Sequence, residues 1–470
     1  MNWHVPNPTV LGTRHAVSSG HYLASSAALA ILDAGGNAVD AGCCAGMALA
    51  VLHADEVNFA GVAPIMIRLA DGTTVSIDGL GVWPAGIPAD LFLREHGGVI
   101  PSGLLRTVVP AAPDAWITAL REHGTMTFGQ VAAAAIRLAR DGFPAHPLLV
   151  AGITSRQRGY RNWPANEAIY LPGGRPPEVG ERFVQADLAR SIQLMADAEA
   201  ATAGGREAGL EAARAVFYEG ELAERMVAYH RENGGYLTAA DLAGFRSRYE
   251  PVVTVRWRDF EVMTCGPWSQ GPALAQALRT LEAYGLDGLA HNSPAYVHLV
   301  VEALKGVFSD REHLYGDPAF VDVDVQRLVS DAHAAARAAR IDPERAHPGC
   351  RTSSSAYRSR CPSPRTTTSC RSSARARPRT SAWSTPGATR SPRHRRTAPP
   401  PRRSSPGPAS CRRCAACSPG PTRPTPAASR PASGPGSRPT RRSRSATTGR
   451  CCRSAAPGAT CRYRRCSRSS

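Results

Sequence analysis

Apolar residues near the start of the chain recur at helical spacing. The segment HYLASSAALAILDAGGNAVDAGCCAGMALAVLH (21–53) predicts two helices separated by Gly35-Gly36, since glycine favours the end of a helix. The apolar face predicted for the first helix consists of Leu23, Ala27, Ala30 and Ile31. The second helix is small or apolar on every side through AGCCAGMALAVL, which predicts a buried helix that is too short to span a bilayer.

Two later segments have the pattern of paired strands. PIMIRLADGTTVSIDG (64–79) predicts a hairpin around Asp71-Gly72, and PVVTVRWRDFEVMTCGP (251–267) predicts another around Arg258-Asp259. Residues 107–146 return to helical spacing. Residues 291–318 predict a helix whose apolar face holds Tyr296, Leu299 or Val300, Ala303 and Val307. Helices mixed with antiparallel hairpins predict a layered α/β fold.

This patterning ends at Cys350. Residues 1–349 carry 28 Lys+Arg and all 38 Asp+Glu, a net charge of −10, whereas residues 350–470 carry 28 Arg, no Lys and no acid. The second part also contains no Val, Ile, Leu, Met or Phe. We therefore divide the chain into a folded body (1–349) and an Arg/Pro/Ser-rich tail (350–470), which is too poor in apolar residues to build a core.

The tail has three possible interpretations: a basic nucleic-acid-binding arm, a disordered low-complexity segment, or a sequence read in the wrong frame. Apart from Tyr357, His394 and Tyr463, its residues are Arg, Ser, Pro, Thr, Ala, Gly, Cys and Trp, whose codons have C or G in the middle. A GC-rich gene has G or C at most third codon positions, and a shifted frame moves those bases to the middle. A functional arm has no reason to exclude Val and Leu. The composition favours a frameshift near residues 345–350.

Shifting the frame yields ordinary protein sequence. With allowed codons, Arg377–Ala398 can encode TTYVSVVDTWGNAFSATPSDG. By the same rule Arg430–Arg441 can encode PGKRPRLTPNP, and Arg453–Arg462 can encode FGSPGGDVQ. Each decoded segment is permitted by the codons rather than forced. Three coherent segments in one frame nevertheless favour the frameshift.

Three segments of the body resemble the large subunit of the γ-glutamyltransferase family: LASSAALAILDAGGNAVDA, HGTMTFGQVAAAAIRLARDGFP and HNSPAYVHLVVEALKGVFSDREHLYGDPAF. The decoded TTYVSVVD, PNP and GSPGGD segments resemble its small subunit in the expected order. The resemblance implies an αββα sandwich of the N-terminal nucleophile hydrolases, made as a proenzyme that cleaves itself before a threonine. That threonine would transfer a γ-glutamyl group from a glutathione-like amide to water or an acceptor amine, without a cofactor.

In the printed sequence this catalytic machinery is missing. The codon of the decoded threonine lies across Arg377 and Pro378, and the glycine-rich loop expected to hold the oxyanion is out of frame at Ala455–Ala459. We therefore assign no catalytic residue and predict that the printed chain neither cleaves itself nor turns over substrate. A small subunit from the same precursor is expected if the frame is restored.

The substrate site departs from the resemblance. The family typically has an arginine for the substrate carboxylate just before an Asp-hydrophobic-aromatic run, whereas Ala89 precedes Asp90-Leu91-Phe92 here. Arg94 and Arg106 are candidate replacements. The segment VNFAGVAPIM (57–66) also stands where the family is often glycine-rich. These departures leave open another amidase or acylase of the same superfamily.

Other candidate residues are interpreted as structural. These are Cys43-Cys44, Ser25-Ser26, His291 and His298, and Asp310, Arg311 and Asp317. CRRCAAC (411–417) has the tail's out-of-frame composition, so it is discounted as a metal site. The N-terminus lacks a basic region followed by an apolar core, so we expect a cytoplasmic protein. Its expected partner is a small amide substrate, and we expect it to bind neither nucleic acid nor membrane.

Overall fold

A computed structural model describes residues 10–348 of the protein. The tail, with its decoded segments and CRRCAAC, lies outside the described residues. The helices are α1 (Tyr22–Asp33), α2 (Ala38–Leu52), α3 (Leu91–His96), α4 (Ala112–His123), α5 (Phe128–Asp141), α6 (Pro147–Tyr160), α7 (Pro164–Tyr170), α8 (Ala186–Ala201), α9 (Arg206–Tyr218), α10 (Glu221–Glu232), α11 (Ala239–Ala243), α12 (Gly271–Tyr284), α13 (Pro294–Leu314), α14 (Val325–Leu328) and α15 (Asp331–Ala338). The strands are β1 (Ile65–Arg68), β2 (Thr74–Ile77), β3 (Phe143–Pro144), β4 (Arg182–Phe183), β5 (Tyr249–Glu250), β6 (Val253–Trp257) and β7 (Phe260–Thr264).

The predicted helix pair 21–53 is confirmed as α1 and α2. Asn37 begins α2 with a capping box, in which its side chain accepts the amides of Val39 and Asp40 while the Asp40 carboxylate accepts the amide of Asn37. The carboxylate of Asp40 also accepts the amides of Thr125 and Met126, just before α5. One buried acid therefore fixes the start of α2 against a distant turn.

The apolar face predicted for α1 is partly wrong. Leu23, Ala27 and Ile31 do pack against the core, but Ala30 is exposed and the buried positions are Ala24 and Ala28. Ala28 packs with Ala41 and Ala45 of α2. Small side chains allow the two helices to approach closely, so the contact is centred on alanines rather than on the larger residues.

Both predicted hairpins are present. β1 pairs antiparallel with β2, with Ile65 opposite Ile77. β2 also pairs antiparallel with β5, which makes a three-stranded sheet. Gly72 has a φ of +94°, the left-handed conformation that such a turn requires. β6 pairs with β7, and the turn places Arg258 at a φ of +52°. The predicted α/β class is thus confirmed for the described residues.

The main core lies around α2, which packs against α1, α4 and α5. It is buried along most of its length, as its apolar composition predicted. Gly46 lets α4 approach, because a Cβ atom there would lie 2.9 Å from the indole nitrogen of Trp116. α8 packs on α5 and α9, which extends this core into a layer of helices.

A second group of elements consists of the β6–β7 hairpin, α12, α13 and α15. Here α13 buries Leu299, Ala303 and Val307, each at most 2% exposed, so these positions of the predicted apolar face are confirmed, with Leu299 rather than Val300 buried, whereas the predicted Tyr296 is only half-buried. Asp310 on the same helix is fully buried and accepts hydrogen bonds from Arg337, His333 and Gln276. This ion pair joins α13 to α15.

Candidate functional site

A groove of about 810 Å³ is formed by four chain segments that are far apart in sequence. The segments are residues 78–82 after β2, residues 240–248 through α11 to β5, residues 267–270 before α12, and residues 311–317 at the end of α13. The loops and helix ends of these segments bring three arginines, an indole, a phenol and several carboxylates to one concavity. Such a mixture of polar groups at a concave surface suits recognition of a small polar molecule.

One wall of this groove is held by Asp78 and Arg248. The Asp78 carboxylate accepts hydrogen bonds from the Arg248 backbone amide at 3.1 Å and from its Nε at 3.3 Å, and the Asp78 amide donates to the Arg248 carbonyl. The Gly79 amide also donates to Asp78. Gly79 has a φ of +46°, and a Cβ atom there would lie 2.2 Å from the Ala63 carbonyl oxygen. The backbone of this wall therefore requires glycine.

Arg246 approaches the groove from the next turn. Its Nη1 donates to the carbonyls of Ala243 and Phe245, and its Nη2 lies 3.6 Å from Glu211 and 3.8 Å from Glu219. Glu219 also lies 3.0 Å from the buried Arg214. An ion-pair network therefore supports this wall of the groove, and most arginine nitrogens in the network already have partners.

The segment before α12 contributes Trp268 and Ser269. The Nε1 atom of Trp268 is buried and has no hydrogen-bond acceptor among the described residues. The hydroxyl of Ser269 donates to the Gly266 carbonyl and accepts the Gly271 amide, which orders the start of α12. Because Ser269 has no histidine or carboxylate beside it in the described hydrogen-bond network, its hydroxyl serves a structural role.

The opposite wall is the C-terminal end of α13. The Arg311 guanidinium lies over the Phe308 ring, 5.1 Å from its centroid. The Tyr315 hydroxyl donates to the Gln276 side chain at 2.9 Å, and burial raises the pKa of this phenol above its ordinary value. Gln276 in turn donates to Asp310 at 2.7 Å, so the groove is connected to the buried ion pair behind it.

The structure separates the residues of the SDREHLYGDP segment by role. Asp310 points inward to its ion pair, as predicted, whereas Arg311 and Asp317 line the groove. The Asp317 carboxylate accepts the Ala319 amide, which closes the turn after α13. The segment is therefore both a packing element and one wall of the groove.

The two candidate replacements for the missing arginine lie away from the groove lining. Arg94 pairs with Asp90 at 3.4 Å and with Glu95 at 3.0 Å. Arg106 donates to the carbonyls of Pro101 and Ile100, each at 3.1 Å. Both guanidinium groups are thus already engaged locally.

The remaining candidates occupy structural positions. Cys43 and Cys44 are buried in α2, and burial raises the pKa of the Cys44 thiol to about 12. His298 hydrogen-bonds to the Asp342 carbonyl at 2.7 Å, and His291 packs edge-on against Tyr296. Ser25 lies on α1 and hydrogen-bonds to Ser19.

Three histidines that no sequence pattern connects form a cluster. The rings of His21, His53 and His146 have centroids 4.4 to 5.9 Å apart, although the residues are up to 125 positions apart in the chain. The Nδ1 atoms of His21 and His146 accept the amides of Leu23 and Leu149, so these two histidines cap α1 and α6. Among residues 10–348 no group of His, Cys, Asp and Glu is arranged to hold a metal ion, and no helix is long and apolar enough to cross a membrane.

Comparison with known proteins identifies a family and relatives that share this sequence and architecture. A family model described as Gamma-glutamyltranspeptidase matches residues 24–381. The "Acylase ACY 1 proenzyme" of Pseudomonas sp. (strain V22) is 36% identical over 369 residues, which cover 74% of this chain and 63% of that protein. The "Glutathione hydrolase-like YwrD proenzyme" of Bacillus subtilis (strain 168) is 32% identical over 329 residues, covering 70% and 60%.

A solved structure agrees with these sequence comparisons. The crystal structure of Helicobacter pylori gamma-glutamyltranspeptidase superposes with a TM-score of 0.68 and 27% identity, covering 74% of this chain and 97% of that chain. The chain spans about three fifths of the length of the curated relatives named above.

Proposed function

The chain belongs to the γ-glutamyltranspeptidase family, and from that premise we propose that it is the large-subunit part of a self-cleaving amide-cleaving enzyme whose catalytic part is written in another reading frame. The observation that carries the proposal is the change of composition at Cys350 within a chain that matches the family up to residue 381. The curated relatives are named proenzymes and extend well beyond the matched part.

The proposed chemistry belongs to the decoded threonine. After cleavage of the precursor, its hydroxyl attacks the amide carbonyl while its own α-amino group takes the proton and passes it to the leaving amine. The resulting acyl-enzyme ester is then cleaved by water or by an acceptor amine. Backbone amides of the decoded GSPGGD loop hold the oxyanion. Loss of a nucleophile alone costs on the order of 10⁶ in kcat, so the printed chain is expected to be inactive.

Within the body, the groove is the proposed contribution to substrate recognition. Arg311, Arg248 and Arg246 supply guanidinium groups that suit a carboxylate of the substrate. Four carboxylates also line the groove and outnumber the three arginines, which favours a zwitterionic or amide substrate over a plain anion; they belong to Asp78, Asp241, Glu312 and Asp317.

Two substrate classes remain, a γ-glutamyl amide and another acyl amide. A specific observation favours the second class: Ala89 stands before Asp90-Leu91-Phe92, and Arg94 and Arg106 are engaged elsewhere. The relative at 36% identity is also named an acylase. We therefore propose an acylase or amidase of this family as the alternative to a γ-glutamyltransferase.

The first experiment is nucleotide sequencing around codon 349. An uninterrupted frame without a homopolymer slip, together with a tail that resists proteolysis, would contradict the frameshift and favour a basic nucleic-acid-binding arm. With the frame restored, we expect two bands on a denaturing gel, from cleavage before the decoded threonine. Rates on γ-glutamyl anilides and on anilides of other acids then separate the two substrate classes.

A further inference from the structure

A second concavity lies between the loop after α2, the helices α7 and α10, and the start of α8. Its volume is about 550 Å³, within the range of pockets that hold small molecules. It shares no lining residue with the groove described above. We call it the α7–α10 pocket. Its lining is mainly aromatic and aliphatic and includes Phe59, Ile169, Tyr170, Phe217, Leu222 and Met226.

The aromatic rings of this pocket are held by their neighbours. Phe59 and Phe217 are 3% and 4% exposed, and their ring centroids lie 6.3 Å apart. The ring of Tyr170 stacks on that of Tyr160, with the centroids 4.6 Å apart. Aromatic rings favour offset-stacked and edge-on contacts with other rings, so a wall built from three of them favours an aromatic ligand.

One polar side chain of the pocket has an unused acceptor. Gln185 is 6% exposed, and its Nε2 atom donates to the Val51 carbonyl at 2.8 Å, which fixes the orientation of the amide. Within residues 10–348 its Oε1 atom accepts no hydrogen bond, and the side chain does not cap α8 although Gln185 is the N-cap residue. A ligand that donates an N–H or O–H group to Oε1 would satisfy this acceptor.

The charged side chains of the lining lie at its rim and are already paired. Asp187 is 71% exposed at its side chain and pairs with Arg190. Arg225 is 75% exposed at its side chain and pairs with Glu221 at 2.5 Å. An ionic ligand would lose hydration in this pocket without gaining an unpaired counter-charge, so the lining favours an uncharged molecule.

We propose that the α7–α10 pocket is a binding site for a small uncharged aromatic molecule that carries one hydrogen-bond donor, as indole and phenol do. The ring of the ligand lies among Phe59, Tyr170 and Phe217, and its donor points to Oε1 of Gln185. This site does not depend on the proposed function, because none of its lining residues belongs to the groove or to the tail. Its ligand can therefore be tested on the printed chain.

The first test is calorimetric titration of the full-length printed chain with indole and 1-methylindole. Indole is expected to bind with a Kd of about 1 mM or lower. 1-Methylindole keeps the ring but lacks the N–H donor, so it is expected to bind about fivefold more weakly. Indole-3-acetate, which adds a charge to the same ring, should also bind more weakly than indole. No binding of indole, or equal Kd values for indole and either analogue, would contradict the proposal.

A variant of Gln185 isolates the hydrogen bond. Gln185→Met removes Oε1 and keeps a side chain of similar length. In this variant the Kd values of indole and 1-methylindole are expected to become equal, whatever the effect on stability. A preference for indole that persists in Gln185→Met would show that the donor points elsewhere.

Filling the pocket locates the ligand. Ala168 of α7 and Ala60 of the loop after α2 are exposed lining residues, so Ala168→Trp and Ala60→Trp each place a large ring in the pocket without disturbing the core. Both variants are expected to abolish indole binding. Ala165→Trp, at an exposed position of α7 outside the lining, is the matched control and should bind indole like the parent chain. Indole binding that survives in both filled variants would overturn the proposal.

Sedimentation velocity tests whether a second copy of the chain covers the pocket instead. The parent chain and Ala168→Trp are expected to have the same oligomeric state. A dimer of the parent chain that Ala168→Trp converts to a monomer would make the pocket a self-association surface and would overturn the small-molecule site.

Discussion

The imidazole rings of His21 and His146 lie 5.0 Å apart, and each caps the start of a different helix through its Nδ1 atom. An Nδ1 atom accepts a hydrogen bond only in the neutral ring. His146 also donates from Nε2 to the Leu52 carbonyl at 2.9 Å, which fixes its tautomer. The Nδ1 cap of α1 therefore depends on an unprotonated His21.

This cap predicts acid sensitivity. Burial and the neighbouring His146 and His53 lower the pKa of His21 from 6.5 to about 4. The unfolded chain takes up a proton at His21 near pH 6.5 and the folded chain only near pH 4, so the stability due to this group is complete above pH 6.5 and is lost as the pH falls toward 4. His21→Asn keeps a capping side chain without titration.

Thermal unfolding between pH 7.5 and 4 provides the measurement. The fall in Tm across this range should be smaller for His21→Asn than for the parent chain, with equal Tm values near neutral pH. His291→Asn, at an exposed site outside the cluster, should behave like the parent. A parent chain and a His21→Asn variant with parallel Tm curves would contradict this account.

The buried pair Asp114–Arg214 carries a second prediction. Each side chain is 1% exposed, the Nε–Oδ1 distance is 2.6 Å, and the second carboxylate oxygen accepts the Ser247 amide. Asp114→Asn leaves a buried guanidinium short of negative charge and should lower the free energy of unfolding by about 3 kcal/mol. Because Glu219 lies 3.0 Å from Arg214 and still supplies negative charge there, the loss should be at the lower end of the range usual for a broken buried ion pair.

The matched control is the exposed pair Glu221–Arg225 on α10. Glu221→Gln should change the free energy of unfolding by less than about 0.5 kcal/mol, since exposed helix pairs are screened by water. Urea unfolding followed by circular dichroism measures both variants. Similar losses in the two would mean that burial of the Asp114 pair has little energetic consequence.

Local features of the fold were predictable from the sequence, and features assembled from distant segments were not. The turn at Asp71-Gly72 depends on adjacent residues, and so does the capping box of α2. The exposure of Ala30 depends on how α1 meets α2, which the spacing of apolar residues alone does not fix. The groove joins residue 78 to residue 317, and no sequence pattern connects positions so far apart.

The groove wall at Gly79 predicts a strict requirement for glycine. Its φ of +46° and the 2.2 Å approach of a Cβ atom to the Ala63 carbonyl both oppose any side chain. Gly79→Ala should lower the free energy of unfolding by at least about 1 kcal/mol. Gly86→Ala is the control, because a Cβ atom at Gly86 has no heavy atom within 4 Å. Equal Tm values for the two variants would rule out the close approach described at Gly79.

The hydrogen bonds from Tyr315 through Gln276 to Asp310 link the groove to the interior. Tyr315→Phe removes the donor to the Gln276 carbonyl oxygen, and an unsatisfied polar group in a buried site costs about 1–3 kcal/mol. Tyr249→Phe is the matched control: its hydroxyl bonds His123 at an exposed position, where water replaces the lost partner. Urea unfolding of both variants should therefore show a loss for Tyr315→Phe and a change within about 0.5 kcal/mol for Tyr249→Phe. Because Tyr315→Phe and Gln276→Leu remove the same hydrogen bond, the double variant should cost less than the sum of the single changes. Additive losses would mean that the Tyr315 phenol and the Gln276 side chain are energetically independent, contrary to their hydrogen bond.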